Sequence, residues 1–267
     1  MNKVTDSRHI GRIRTRFRNN QNWLGLIVGQ TGTGKSWAAV KLCEIIDKNF
    51  NINNICFDSR ELLELIDGGE LNKGSMLLYD EAGISFGARD FYQDVNKALS
   101  YFFQGFRAFN IGVVFTTPDQ SFIDVHARKI IHAVIQTVGL NREEGYCIVK
   151  WKNLDHNPVM SKTYYKYDRY RVNKKISKET QTRIHKASDE LLEAYETKKM
   201  KFLKQLTKDS LERIKYDEQT KKKISDSTIR DIIRKEKVEL NAYVLQNKFG
   251  IGKDRAYRII RSLSDGV

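Results

Sequence analysis

The stretch Gly29-Gln30-Thr31-Gly32-Thr33-Gly34-Lys35-Ser36 constrains this chain more than any other. It satisfies the spacing G-x-x-x-x-G-K-[ST] without deviation. The six residues before it, "WLGLIV", carry no charge and read as a buried parallel strand. After it, Ala39, Leu42, Cys43 and Ile46 recur at helical intervals. Strand, glycine loop and helix in that order build a phosphate cradle. Glycines let several backbone amides point inward, and the positive end of the helix faces the same place. Lys35 supplies a mobile cation, and the Ser36 hydroxyl is a hard ligand for Mg²⁺. All eight residues, 29 to 36, are expected to hold the nucleotide, with ATP as ligand and Mg²⁺ as its metal.

The segment "SMLLYDEAG" places a carboxylate pair at the tip of an apolar run, with Asp80 lying 45 residues beyond Lys35. Asp80 is expected to share Mg²⁺ with Ser36. Glu81 is expected to polarise the attacking water. Adjacent acids at such a tip favour hydrolysis over transfer to a small acceptor. A polar group on the neighbouring strand should sense the γ-phosphate. "IGVVFTT" offers Thr116 and Thr117, and Thr117, next to Pro118, is the expected sensor. ATPases that work in rings insert an arginine into a neighbour's site. Arg89, Arg107 and Arg128 are candidates, with Arg128 of "DVHARK" preferred.

Strand-like and helix-like segments alternate over about 150 residues, which implies a mostly parallel sheet covered on both faces. "RIRTRFR" alternates Arg with Ile, Thr and Phe and reads as a strand with one charged face. "INNICF" reads as a strand, and "SRELLELIDGG" as a short helix capped by Ser59 and closed by Gly68. "YQDVNKALSYFFQGFRAFN" reads as a helix with an aromatic face. "DVHARKIIHAVIQTV" begins as a helix and finishes as a strand. "GYCIVKWKN" and "KTYYKYDRYRV" form a late pair of strands. The expected organisation is an ATPase domain over 1–173, a charged helical connector over 174–224 and a compact helical domain over 225–267.

The formal net charge is +14, a surplus that suits an anionic polymer or membrane surface as partner. It is uneven: residues 174–267 hold 24 Lys/Arg against 15 Asp/Glu. Within that region, "ELNAYVLQNKFGIGKDRAYRIIRSL" places Leu245, Phe249, Ile251, Ala256 and Ile259 where a helix-turn-helix buries its contacts, with Gly250 in the turn. The second helix would then present Lys253, Arg255, Tyr257, Arg258 and Arg261 to DNA. Gln246 replaces the small residue usual early in the first helix. Cys43, Cys56 and Cys147 are far apart and read as reduced core thiols. No apolar run approaches the ~20 residues of a membrane span, and no secretory leader is evident. A soluble, cytoplasmic protein is expected.

The motifs "GQTGTGKS", "LLYDEAG", "FRAFNIGVVFTTPDQSFID" and "ARKIIHA" together resemble Zot-like ATPases of the FtsK–HerA superfamily, most of all those carried by archaeal viruses, plasmids or integrated elements. The resemblance spans roughly residues 20–172. It implies a RecA-like α/β core with P-loop ATPase activity, Mg·ATP as cofactor, assembly into a homo-oligomeric ring and movement of DNA, with double-stranded DNA as the expected partner. It assigns nucleotide roles to Lys35, Ser36, Asp80 and Glu81. The chain departs from the pattern at Thr116-Thr117-Pro118, where the family often ends the strand in Gln. It also lacks the membrane span of phage-assembly members. The alternative is a DNA-binding regulator switched by nucleotide, without motor activity. A small-molecule kinase is a third reading, which leaves the basic C-terminal region without a purpose.

Overall fold

The computed structural model describes residues 2–3, 7–69, 71–80, 109–123, 128–172, 175–223, 225–236 and 238–264. Glu81, Arg89, Arg107 and nearly all of the expected aromatic helix lie outside them. The chain divides into two compact units, residues 1–202 and 203–267.

The first unit is built on one sheet. Its strands are β1 (Asn2–Lys3), β2 (Trp23–Val28), β3 (Ile55–Cys56), β4 (Met76–Tyr79), β5 (Gly112–Thr117), β6 (Ala133–Asn141), β7 (Tyr146–Asn157), β8 (Lys162–Lys166) and β11 (Thr182–His185). The order is β1-β11-β7-β6-β2-β5-β4-β3, with β8 also paired to β7. From β6 to β3 every pairing is parallel. The partners of β7 all run antiparallel to it. β9 (Arg169–Val172) and β10 (Lys175–Lys178) form a separate antiparallel pair. The fold is thus mixed α/β with a mostly parallel centre, as the alternating pattern predicts.

β2, the strand before the glycine loop, lies centrally between β5 and β6, and its first five residues are buried. Gly25 is required there because a Cβ would sit 2.2 Å from the folded-back Trp23 ring. Strand alternation divides the core into two layers. Ile27, Met76, Leu78, Val114, Ala133 and Ile135 face one side with Ala38, Ala39 and Leu42 of helix α2 (Lys35–Ile46). Leu26, Leu77, Tyr79, Val113, Phe115 and Val134 face the other. Each fully buried large apolar side chain contributes about 2 kcal/mol to this packing.

Helix α1 (Arg8–Arg18) corrects the expectation of a strand at "RIRTRFR". The alternation of arginines masks the positions that matter. His9, Ile10 and Ile13 are buried and Phe17 packs beside them, a spacing of three and four that suits a helix. Its register on the sheet is fixed by polar contacts. His9 Nδ1 lies 2.7 Å from Asp168 Oδ2, Arg12 Nε donates to Asp168 Oδ1 at 2.7 Å, and the His9 ring stacks on Trp151 at 4.4 Å.

Helix α3 (Ser59–Asp67) is capped by Asp58, not Ser59: the Asp58 carboxylate accepts from Glu61 N at 2.8 Å. Gly68 does close it. The expected helical run from 174 is also corrected. β10 and β11 occupy its start, and helix α4 (Asp189–Lys223) begins only afterwards. Thr182 and Ile184 are buried in alternation, a strand signal hidden by the charged composition around it.

The second unit holds the end of α4 and helices α5 (Asp226–Glu236), α6 (Ala242–Phe249) and α7 (Lys253–Ser264). Leu245, Phe249, Ile251, Ala256 and Ile259 are all buried, with Ile229 and Ile233 of α5. Asn241 caps α6 by accepting from Tyr243 N at 2.9 Å. Gly250 ends that helix at φ 60°, a left-handed conformation that favours glycine. Among the described residues, no helix is long and apolar enough to cross a membrane.

Candidate nucleotide-binding site

The loop between β2 and α2 follows from its glycines. Gly32 and Gly34 have φ of 81° and 89°, the second at the N-cap of α2. The Gln30 carbonyl gathers three donors: Thr33 N at 3.3 Å, Thr33 Oγ1 at 2.7 Å and Lys35 Nζ at 3.0 Å. Neighbouring strands brace the loop. Gly29 N donates to Pro118 O at 3.3 Å, and Cys147 Sγ of β7 donates to Thr33 O at 3.3 Å. Burial pushes the Cys147 thiol up to about 12, so it stays protonated and able to donate. All three cysteines are buried and free of disulfides.

Asp80 follows β4 directly and is fully buried. Its backbone N–H donates to Cys56 O at 3.0 Å. Alternation along β4 carries the side chain to the same side as Met76 and Leu78, the side of α2. There Ser36 Oγ lies 3.1 Å from both Asp80 carboxylate oxygens. The same alternation along β5 places Thr116 with Val114 on that side, and Thr116 Oγ1 donates to Asp80 Oδ1 at 2.8 Å. Thr117, the expected sensor, faces away and donates to Asp119 O at 3.2 Å. Arg128 Nε donates to Ile123 O at 2.9 Å within its own segment.

Two further residues reach Asp80 from α4. Tyr195 OH donates to Asp80 Oδ2 at 2.6 Å, and Lys199 Nζ lies 3.4 Å from the same oxygen and 3.0 Å from the tyrosine hydroxyl. Burial, reinforced by the negative charge of Asp80, pushes the Tyr195 phenol well above its ordinary value, so it remains a donor. Leu191 and Tyr195 are buried with the α2-side core, and Phe202 packs against it, at intervals that suit one helix stripe. The spacing is visible in "ELLEAYETKKMKF", but its target is not.

The arrangement fits a magnesium–triphosphate. A hydroxyl and a carboxylate, both hard oxygen donors, converge at the N-terminus of α2, beside a loop carrying the lysine. Mg²⁺ in such sites takes one or two protein oxygens and completes its shell with phosphate and water. Next to the loop lies a cavity of about 650 Å³, bordered by Gly29, Gln30, Pro118, Gln120, Lys152 and Tyr165. Gln120 Nε2 donates to Tyr165 OH at 2.8 Å, and Lys152 Nζ is 5.8 Å from the Tyr165 ring centre. A ring, an amide and an ammonium there suit a planar, anionic ligand.

The family described as "Zonular occludens toxin (Zot)" matches residues 43–178, just over half of the 267-residue chain. The chain belongs to the Zot family. The matched part of this Zot-family chain contains Asp80 and both β5 threonines. It begins after the glycine loop and ends before Tyr195 and Lys199. Two solved structures resemble the chain loosely. The N-terminal domain of zonular occludens toxin from Neisseria meningitidis is 16% identical with a TM-score of 0.31, covering 55% of this chain and 94% of that one. The DnaC helicase loader is 18% identical with a TM-score of 0.25, covering 44% of this chain and 73% of that one. No curated protein matches.

Proposed function

We propose that this Zot-family chain hydrolyses ATP and uses the energy to move double-stranded DNA, as a ring of identical subunits in the manner of FtsK–HerA motors of viruses and plasmids, including archaeal ones. The observation that carries the reading is the meeting of Ser36 and Asp80 at 3.1 Å at the N-terminus of α2. Residues 29–34 wrap the phosphates with backbone amides, and Lys35 swings from Gln30 O to the β- and γ-phosphates. Ser36 and Asp80 hold Mg²⁺, which when bound supplies a Lewis acid that neutralises charge on the phosphate oxygens. Glu81 orients the water for in-line attack. Arg128 serves a neighbouring subunit's site, and Thr117 senses the γ-phosphate through the turn at Pro118.

For the DNA side, α6 and α7 form a helix-turn-helix. Its core positions are buried, while Lys253, Tyr257, Arg258 and Arg261 are exposed on α7. Arg255 is partly engaged, donating to Asp226 Oδ1 at 2.7 Å, and turns to phosphate on contact with DNA. In this reading the unit over residues 1–202, which holds Ser36, Asp80, Tyr195 and Lys199, carries the chemistry, and residues 225–267 recruit the duplex.

ATP turnover measured with and without duplex DNA, at several salt concentrations, tests the whole reading. Turnover stimulated by DNA and weakened by salt is expected. Slow turnover indifferent to DNA would instead fit the nucleotide-switched regulator.

A further inference from the structure

Asp80 carries more donors than a metal-binding carboxylate needs. Its Oδ1 accepts from Thr116 and Ser36, and its Oδ2 from Ser36, Tyr195 and Lys199. The two residues from α4 differ in how firmly they are held. The Tyr195 side chain is buried and its ring packs on Phe57 at 6.1 Å, which in turn stacks on Phe202 at 5.3 Å. That aromatic column fixes the hydroxyl. Lys199, one helical turn on, has a flexible stem and a side chain 16% exposed. Its ammonium can leave without disturbing the column.

A fully buried carboxylate demands a countercharge. The nearest ammonium to Asp80 on the α4 side is that of Lys199, at 3.4 Å, close to where a divalent cation bound to Ser36 and Asp80 would place its charge. Two cations cannot share one carboxylate at that range without strong repulsion.

We propose that Tyr195 and Lys199 are positioning residues for the Asp80 carboxylate, the tyrosine fixing its orientation and the lysine ammonium standing in for the divalent cation until that cation displaces it. This rests on the nucleotide-site reading above. Lys199 therefore competes with the metal, and Tyr195 assists it.

The test uses the full chain with Mn²⁺ as a spin-active probe and a non-hydrolysable ATP analogue, AMP-PNP. Electron paramagnetic resonance reads the Mn²⁺ affinity, and isothermal titration reads AMP-PNP. Lys199→Met is expected to tighten Mn²⁺ about tenfold, the order of one nearby charge. Lys199→Arg, which keeps the charge, is expected to bind Mn²⁺ as the wild type does. Tyr195→Phe is expected to weaken Mn²⁺ about tenfold, as loss of an outer partner of a ligating carboxylate does. Should Lys199→Met not fold, Lys199→Gln removes the same charge and carries the same expectation. Unchanged or weaker Mn²⁺ binding in the folded neutral variant overturns the inference and leaves the nucleotide site standing. A wild type that binds neither Mn²⁺ nor AMP-PNP overturns both.

Discussion

Ser36 and Asp80, 44 residues apart in the chain, meet with the serine hydroxyl 3.1 Å from each carboxylate oxygen. The contact joins the first turn of α2 to the residue that follows β4. It exists because β4 and β2 both flank β5 and run parallel to it, so their C-terminal ends open on the same edge of the sheet, one strand apart. A glycine loop on one and a buried acid on the other then face a common space.

Replacing Lys35 by Ala removes the one mobile cation of the loop. ATP turnover should fall at least about 100-fold, the scale of losing a group that stabilises transition-state charge. Phosphate release together with nucleotide titration reads this. Near-normal turnover would remove the loop from the mechanism.

Glu81→Gln keeps the size of the side chain and removes its basicity. The variant should still bind ATP, while turnover falls by about 10²- to 10⁴-fold. A single-turnover assay separates the two. Loss of binding with no catalytic defect in the remaining bound fraction would contradict the role.

Thr116 and Thr117 offer a contrast between adjacent residues. Thr116→Val deletes the hydrogen bond to Asp80 Oδ1 and should cost about 1 kcal/mol of stability together with weaker metal-dependent turnover. Thr117→Val deletes the hydrogen bond to the Asp119 carbonyl and leaves the groups on Asp80 in place. As the proposed γ-phosphate sensor, Thr117 should be needed for turnover but not for metal affinity. Unchanged turnover in this variant would remove Thr117 as the group acting on the γ-phosphate.

Asp168 anchors α1. Burial raises the pKa of its carboxyl, but contacts from His9 and Arg12 outweigh that and hold it well below the ordinary range. A depressed folded-state value contributes stability above the unfolded value, about 3.9, and that contribution is lost as pH falls below it. Asp168→Asn should therefore cost about 3 kcal/mol at pH 7, as expected for stripping one partner from a buried pair. The gap between wild type and variant should narrow as pH falls from about 5 to 3. Thermal melts across that range check it, and a constant gap would exclude the carboxylate.

On α7, Arg258 and Arg261 are exposed. Changing both to Ala should weaken DNA binding and reduce the slope of log K against log salt by about 2, near one per phosphate contact. Fluorescence anisotropy with a short duplex at graded salt measures both. An unchanged slope would place the duplex elsewhere.

The residue pattern by itself determined the parts that local chemistry governs. The glycine spacing set the loop, the uncharged runs set β2, β4 and β5, and the apolar intervals in 245–259 set the core of the second unit. Where short-range patterns conflict, reading failed. The arginines of "RIRTRFR" alternate with period two, yet burial of Ile10, Ile13 and the edge of Phe17 made a helix. Asp58 won the cap from Ser59 because its carboxylate reaches an amide three residues on. Only the tertiary structure decided that Thr116 rather than Thr117 touches Asp80, since side-chain alternation has meaning only once α2 has chosen a face of the sheet. Only it brought Tyr195 and Lys199 to an acid 115 and 119 residues away. A helix stripe declares in sequence that it will be buried; what it is buried against is fixed by packing over the whole chain.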